Sequence, residues 1–156
     1  MPGSNFFSSW DFTSDPCNFA GVYCEADKVI ALNLGDPRAG FPSLTGRLDP
    51  AIGKLSAIIG SFPQTLSQLK NLRFLAISDN FIFEEIPMNL AELRSLQTLD
   101  LSYNQLRGQI PRTIGILPLL YNVILCHNHL SSSVPPFLSR ALTCLNLKHN
   151  DLSDIL

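Results

Sequence analysis

From Ser95 to Leu117 the chain reads SLQTLDLSYNQLRGQIPRTIGIL, with leucine or isoleucine at 96, 99, 101, 106, 110, 114 and 117 and Asn104, Gly108 and Pro111 between them. The same pattern lies 24 residues earlier at Leu72, Leu75, Ile77, Asn80, Ile82, Ile86, Pro87, Leu90 and Leu93, with Glu84 at the glycine position. It recurs 24 residues later at Leu120, Val123, Leu125, Asn128, Leu130, Val134, Pro135 and Leu138, with Ser132 at that position. A further copy follows after a step of 22, at Leu142, Leu145, Leu147, Asn150 and Leu152. Self-similarity at such a period predicts a solenoid, in which each coil buries its apolar side against its neighbours.

The shared core, L-x-x-L-x-L-x-x-N-x-L, is the leucine-rich-repeat pattern. It predicts an α/β fold: a right-handed solenoid with a parallel β-sheet on its concave face and short 3-10 or irregular helical turns on its convex side. In each coil the residues around L-x-L should form a short strand, leucines inward and the alternate residues facing solvent. Asn80, Asn104, Asn128 and Asn150 should turn inward as a structural ladder, their amides satisfying backbone groups of adjacent coils. Pro87, Pro111 and Pro135 suit an extended stretch before each convex-side turn.

The opening segment is not a repeat. It holds Trp10, Asp15-Pro16 and the pair Cys17 and Cys24, and it reads as a cap over the first coil's open apolar side, residues 1–28. A Cys17–Cys24 disulfide is favoured over two free buried thiols, and it implies an oxidising compartment. The run Trp10…Asp15-Pro16-Cys17-Asn18-Phe19-Ala20-Gly21-Val22-Tyr23-Cys24 resembles the N-terminal cap of plant extracellular leucine-rich-repeat proteins, with Phe19 where that family usually has a second tryptophan. The L-x-G-x-I-P at Leu106–Pro111 resembles the plant-specific class found in receptor-like kinase ectodomains, receptor-like proteins and polygalacturonase inhibitors. The resemblance covers nearly the whole chain and implies a scaffold shared by proteins with different partners.

Used as a ruler, the regular coil exposes two irregularities in the repeats of residues 29–156. The first coil, 29–55, begins with a strand at Val29–Leu34 but then carries five extra residues around Asp36-Pro37-Arg38-Ala39-Gly40, a turn-forming run expected to bulge. The second, 56–69, is ten residues short, because Leu55 and Leu69 are 14 apart where two coil ends should be 24 apart. The missing part is the strand and asparagine turn. Its loss should leave neighbouring strands about 10 Å apart with unpaired backbone groups, unless Ala57-Ile58-Ile59 fills the gap or the sheet breaks. Coils 70–93, 94–117 and 118–141 are regular, and 142–156 is a partial last coil with no second cysteine pair, whose open side would favour self-association.

Stacking the coils produces four columns on the concave side. They are Phe74, Thr98, Asn122 and Cys144; Ala76, Asp100, Ile124 and Asn146; Ser78, Ser102, Cys126 and Lys148; and Asp79, Tyr103, His127 and His149. Aromatic, hydroxyl, amide and charged groups mixed on one face suit protein or peptide binding, against the plain alternative of a solvated sheet surface. The candidate ligand-binding residues are Phe74, Ser78, Asp79, Thr98, Asp100, Ser102, Tyr103, Asn122, Ile124, His127, Asn146, Lys148 and His149. Cys126 and Cys144 lie four positions out of step on adjacent strands, roughly 13–14 Å apart, too far for a bridge. His127 and His149, with His129 nearby, raise a metal site or a pH-sensitive patch, but exposed turn histidines without a special role are the simpler reading, and no zinc-finger ligand spacing is present.

A net charge of −2 with scattered Lys and Arg argues against a nucleic-acid partner, and no apolar run approaches the roughly 18 residues of a membrane span. The N-terminus lacks a secretory signal's basic-then-apolar order, so a signal has been removed or the chain never enters that pathway. No N-x-S/T sequon occurs, which weighs mildly against secretion. No nucleophile elbow, phosphate-cradling loop or recognisable catalytic constellation appears, so neither enzyme activity nor a cofactor is expected. The expectation is an extracellular or cell-surface recognition module that takes a peptide or protein on its concave face. The rivals are a polygalacturonase inhibitor, which generally has about twice as many coils, and a truncated, non-binding structural variant.

Overall fold

A computed structural model describes residues 15–19, 21–33, 64–80, 82–137 and 139–153. The strands of these residues are β1 (Val22–Glu25), β2 (Lys28–Asn33), β3 (Phe74–Ala76), β4 (Phe83–Glu85), β5 (Thr98–Asp100), β6 (Gln105–Gly108), β7 (Asn122–Ile124), β8 (His129–Ser132), β9 (Cys144–Asn146) and β10 (Asp151–Leu152). Short 3-10 turns cover Pro16–Asn18, Gln64–Gln68, Met88–Glu92 and Ile114–Ile116. Pro87, extended at φ −74° and ψ 139°, leads directly into Met88–Glu92, because its ring fixes φ and its missing N–H is not needed there.

The concave sheet runs β1-β2-β3-β5-β7-β9, antiparallel only between β1 and β2. Leu75, Leu99 and Val123 pair in register and are fully buried, as are Leu101, Leu106, Leu125 and Leu130 in the columns behind them. Burying each such side chain is worth roughly 1.5–3 kcal/mol, and every coil repeats the contribution. Strands β3, β5, β7 and β9 stay three residues long because the chain must turn immediately after them. Asp79, Tyr103, His127 and His149, each just before a ladder asparagine, take left-handed φ values of 56°, 53°, 55° and 56°.

The ladder asparagines join successive coils. Asn104 Nδ2 donates to Ile77 O of the preceding coil (2.8 Å) and to Leu101 O of its own (3.1 Å), and its Oδ1 accepts from Ile82 N (3.0 Å). Asn128 repeats this with Leu101 O, Leu125 O and Leu106 N, and Asn150 with Leu125 O, Leu147 O and Leu130 N. One amide thereby satisfies groups on two coils, which a shorter or apolar side chain cannot do.

At the N-terminal end Cys17 and Cys24 are bridged, with Cα atoms 5.6 Å apart. Phe19 is buried beside Val22 and Leu32 at the start of the core, so the phenylalanine does serve as an apolar plug. Here the structure departs from the expected gap between the first strands. Residue β2 Ala31 pairs directly with Phe74, 43 residues later, whereas Phe74 to Thr98 and Thr98 to Asn122 are steps of 24. The sheet neither breaks nor leaves a space. The five-residue surplus and the 14-residue remnant together equal the 19 residues by which this step exceeds a regular one. Pairing β2 directly with β3 lets the backbone groups that a gap would have left open face each other instead. The runs around Asp36–Gly40 and Ala57–Ile59 lie outside the described residues, as do Trp10 and Leu138.

A second parallel sheet, β10-β8-β6-β4, lies along another side of the coils and is not foreseen from the repeat pattern. Its strands hold the glycine position, where Gly108 has φ 72°. Glu84 and Ser132 adopt φ 98° and 69° at the equivalent places, a conformation that side chains other than glycine resist.

Candidate functional site

The concave face is built by strand alternation: the inward leucines fix which residues point out. Pairing across the sheet makes one row of Tyr23, Ala31, Phe74, Thr98, Asn122 and Cys144, and a second of Asn33, Ala76, Asp100, Ile124 and Asn146. Beyond the strands the ladder continues. Asp79 N donates to Ser102 O, Tyr103 N to Cys126 O, and His127 N to Lys148 O, which aligns Ser78, Ser102, Cys126 and Lys148. Asn80 N donates to Tyr103 O, Asn104 N to His127 O and Asn128 N to His149 O, which aligns the left-handed residues in turn. Twelve of the thirteen candidate ligand-binding residues therefore line one face, whereas Ser102 is buried beneath it at 5% exposure, its hydroxyl turned to Asp100.

Two rows of this surface differ in character. The first strand row carries aromatic side chains toward the cap: Tyr23 is 56% exposed and Phe74 38%, with the small Ala31 between them. Tyr23 was missed by repeat alignment because it belongs to the antiparallel cap hairpin and has no repeat equivalent. Arg73 Nη2 donates to Glu25 Oε2 at 2.6 Å, tying the first regular coil to that hairpin. The left-handed column instead forms a stack. Tyr103 and His127 lie face to face with ring centroids 4.2 Å apart and planes 11° apart, and His127 and His149 follow at 4.1 Å and 25°. Identical backbone angles at a coil spacing near the thickness of a ring produce this arrangement.

Three polar side chains within the face are held by hydrogen bonds. Asp100 Oδ1 accepts from Ser102 N (3.0 Å) and Ser102 Oγ (2.6 Å), and Asn146 Oδ1 from Lys148 N (3.3 Å). Asn122 Oδ1 is a buried acceptor without a partner among the described residues. Cys126 and Cys144 are both free thiols. Burial, and then the charge of Asp100, pushes the Cys126 thiol up, whereas Cys144 is exposed. His129 is not part of the stack: it lies on β8 in the second sheet, where Nδ1 is 3.8 Å from Asp151 Oδ2. Among the described residues no group of three His, Cys, Asp or Glu side chains is placed to hold a metal ion, and no helix is long and apolar enough to cross a membrane.

Coils of this length, an asparagine ladder and a parallel concave sheet define a leucine-rich-repeat solenoid. Residues 2–25 match the leucine rich repeat N-terminal domain, and 95–117 and 139–155 match leucine rich repeats. The structure superposes on the complex of BIR3 and SERK2 from Arabidopsis thaliana with a TM-score of 0.76 and 33% identity, covering 96% of this chain and 75% of the other. It superposes on the Arabidopsis receptor kinase HAESA, in complex with the peptide hormone IDA and the co-receptor SERK1, with a TM-score of 0.66 and 32% identity over 81% of this chain and 22% of the other. A probable inactive receptor kinase of Arabidopsis thaliana is 42% identical over 66 residues, 38% of this chain. The chain belongs to the plant-specific extracellular leucine-rich-repeat family. It spans a tenth or less of the length of the curated relatives it matches, and its fold is that of plant receptor ectodomains.

Proposed function

We propose that this chain is a non-enzymatic extracellular recognition module that binds a peptide or protein segment along its concave face. The observation that carries the reading is the surface itself. Exposed aromatic side chains at Tyr23, Phe74 and Tyr103 stand among hydroxyl, amide and carboxylate groups on a sheet whose backbone is stapled coil to coil. Large, rigid aromatics on a preorganised scaffold lose little entropy on binding, which is why they carry so much interface energy. The neighbouring HAESA structure holds a peptide hormone and a co-receptor, and this supports the same class of ligand here. The Cys17–Cys24 bridge supports an oxidising, extracellular setting. Direct β2–β3 pairing weighs against the rival of a defective remnant, since the absent strand leaves no unpaired edge inside the sheet.

The test is selection of a random peptide library displayed on phage against the folded chain. Selected peptides are then titrated against a Phe74→Ala, Thr98→Arg variant whose thermal melt matches the parent. Binding weakened at least about tenfold is expected from the loss of a central aromatic anchor and the added bulk. Equal binding to both proteins, or enrichment of no sequence, would overturn the concave-face reading.

A further inference from the structure

The ring stack stops one coil short. Tyr103, His127 and His149 fill three successive left-handed positions, and the fourth, next to Tyr103, is Asp79. Asp79 has the same backbone conformation, and its coil is hydrogen-bonded to that of Tyr103 through Asn80 N to Tyr103 O at 3.0 Å. An aspartate side chain reaches only as far as the base of a neighbouring tyrosine ring. Among the described residues no ring stacks on the other face of Tyr103, and the residue is 53% exposed. Asp79, in the adjacent coil position, is an exposed carboxylate with no side-chain hydrogen bond or ion pair among the described residues.

We propose that this position receives an arginine of the ligand, its guanidinium lying on the free face of Tyr103 and donating to the Asp79 carboxylate. The assignment rests on the concave-face reading and names the chemistry that one part of that face recognises. Three features select this group over others. Its thickness is that of the rings already stacked at 4.1–4.2 Å, so it continues the column at the same spacing. It is cationic, and among the described residues the charge here is negative: Asp79 and, one coil on, Asp100 are carboxylates, Arg73 is already engaged by Glu25, and Lys148 lies at the opposite end of the face. It is planar with donors at its rim, so it can stack and pair at once. A lysine ammonium pairs with Asp79 but has no flat face, and a neutral aromatic ring stacks but leaves the carboxylate desolvated and unpaired.

The experiment titrates the full 15N-labelled chain with acetyl-Gly-Arg-Gly-amide and follows the amide resonances of Asp79, Asn80 and Tyr103. The same peptide carrying citrulline, planar but neutral, and the same peptide carrying lysine are the comparison probes. The arginine peptide should produce saturable shifts centred on these residues. The citrulline peptide should bind about tenfold more weakly and the lysine peptide about threefold, as exposed ion pairs and cation–π contacts each change affinity severalfold. Asp79→Asn should bring the arginine peptide to the citrulline level, and Tyr103→Asn should erase the preference for arginine over lysine. Asparagine is used at both positions because it accepts the left-handed backbone. Equal binding of arginine and citrulline peptides, shifts unchanged by Asp79→Asn, or no saturable shift at these residues would overturn the assignment. In that event, concave-face binders without arginine from the phage selection would leave the recognition reading standing.

Discussion

Coil 94–117 and the last described coil are built from the same pattern, yet they bury it differently. Leu99, paired on both sides through β3 and β7, is fully buried. Leu145, at the equivalent place on the edge strand β9, is 41% exposed, and Leu142, Leu147 and Leu152 are only partly buried. Burial in a solenoid is therefore a property of neighbours rather than of a residue's place in its own coil. The largest expected effect sharpens this contrast. Leu99→Ala should cost about 2–5 kcal/mol and Leu145→Ala less than about 1 kcal/mol in urea melts, since only the first leaves a closed cavity. Similar losses at both sites would mean that the last coil is packed in solution.

The asparagine ladder gives a second way to break the comparison. Asn128 is buried and its amide serves two coils, so Asn128→Ala should cost about 2–3 kcal/mol by leaving several buried backbone groups unsatisfied. Asn150 makes the same bonds but is half-exposed, and water can replace part of them. Asn150→Ala should therefore cost about half as much, roughly 1 kcal/mol. Equal costs would show that hydrogen bonding, not burial, sets the penalty.

Between these effects and the smallest lies the glycine position. Gly108 has φ 72°, and a Cβ there would come within 2.8–2.9 Å of the Glu85 side chain. Glu84, at φ 98° in the coil before, bears the strain that Gly108 avoids. Glu84→Gly should stabilise the chain by about 1 kcal/mol and Gly108→Ala should destabilise it by about as much, both read from the midpoint of thermal unfolding. A destabilising Glu84→Gly would mean that its side chain makes a compensating contact.

What could be read from the residues alone follows the same division. The leucine columns and the asparagine ladder were visible because each recurs at a fixed step and each has one physical reason for its place. The second sheet was not, since strands such as Phe83-Glu84-Glu85 are exposed at every position and show no apolar alternation. Counting coils also could not show that β2 meets β3. The count measures chain length, and pairing is decided by which backbone groups remain to be satisfied. At the face, alignment put Asp79, Tyr103, His127 and His149 in one column. That three of them stack depends on a left-handed backbone angle which no spacing announces. Tyr23 entered the face only through the cap hairpin.

The smallest expected effect concerns the exposed contact between Lys70 and Glu92, where Nζ and Oε2 are 2.8 Å apart and both side chains are more than half exposed. The hydrogen bond from Lys70, then its charge, holds the Glu92 carboxyl below its ordinary value of 4.5. A carboxyl lowered on folding adds stability that is present above the ordinary value and is lost as the pH falls through the folded one. Lys70→Met should therefore reduce stability slightly at pH 7 and not at all at a pH low enough to protonate Glu92 in both states. Salt should erase even the neutral-pH difference, because exposed pairs are screened. Urea midpoints of parent and variant, compared at both pH values and at low and high salt, measure this directly. A difference that persists at low pH would place the lysine's contribution in the packing of its methylene stem rather than in its charge, and surface groups would then share in the burial that distinguishes inner coils from the last.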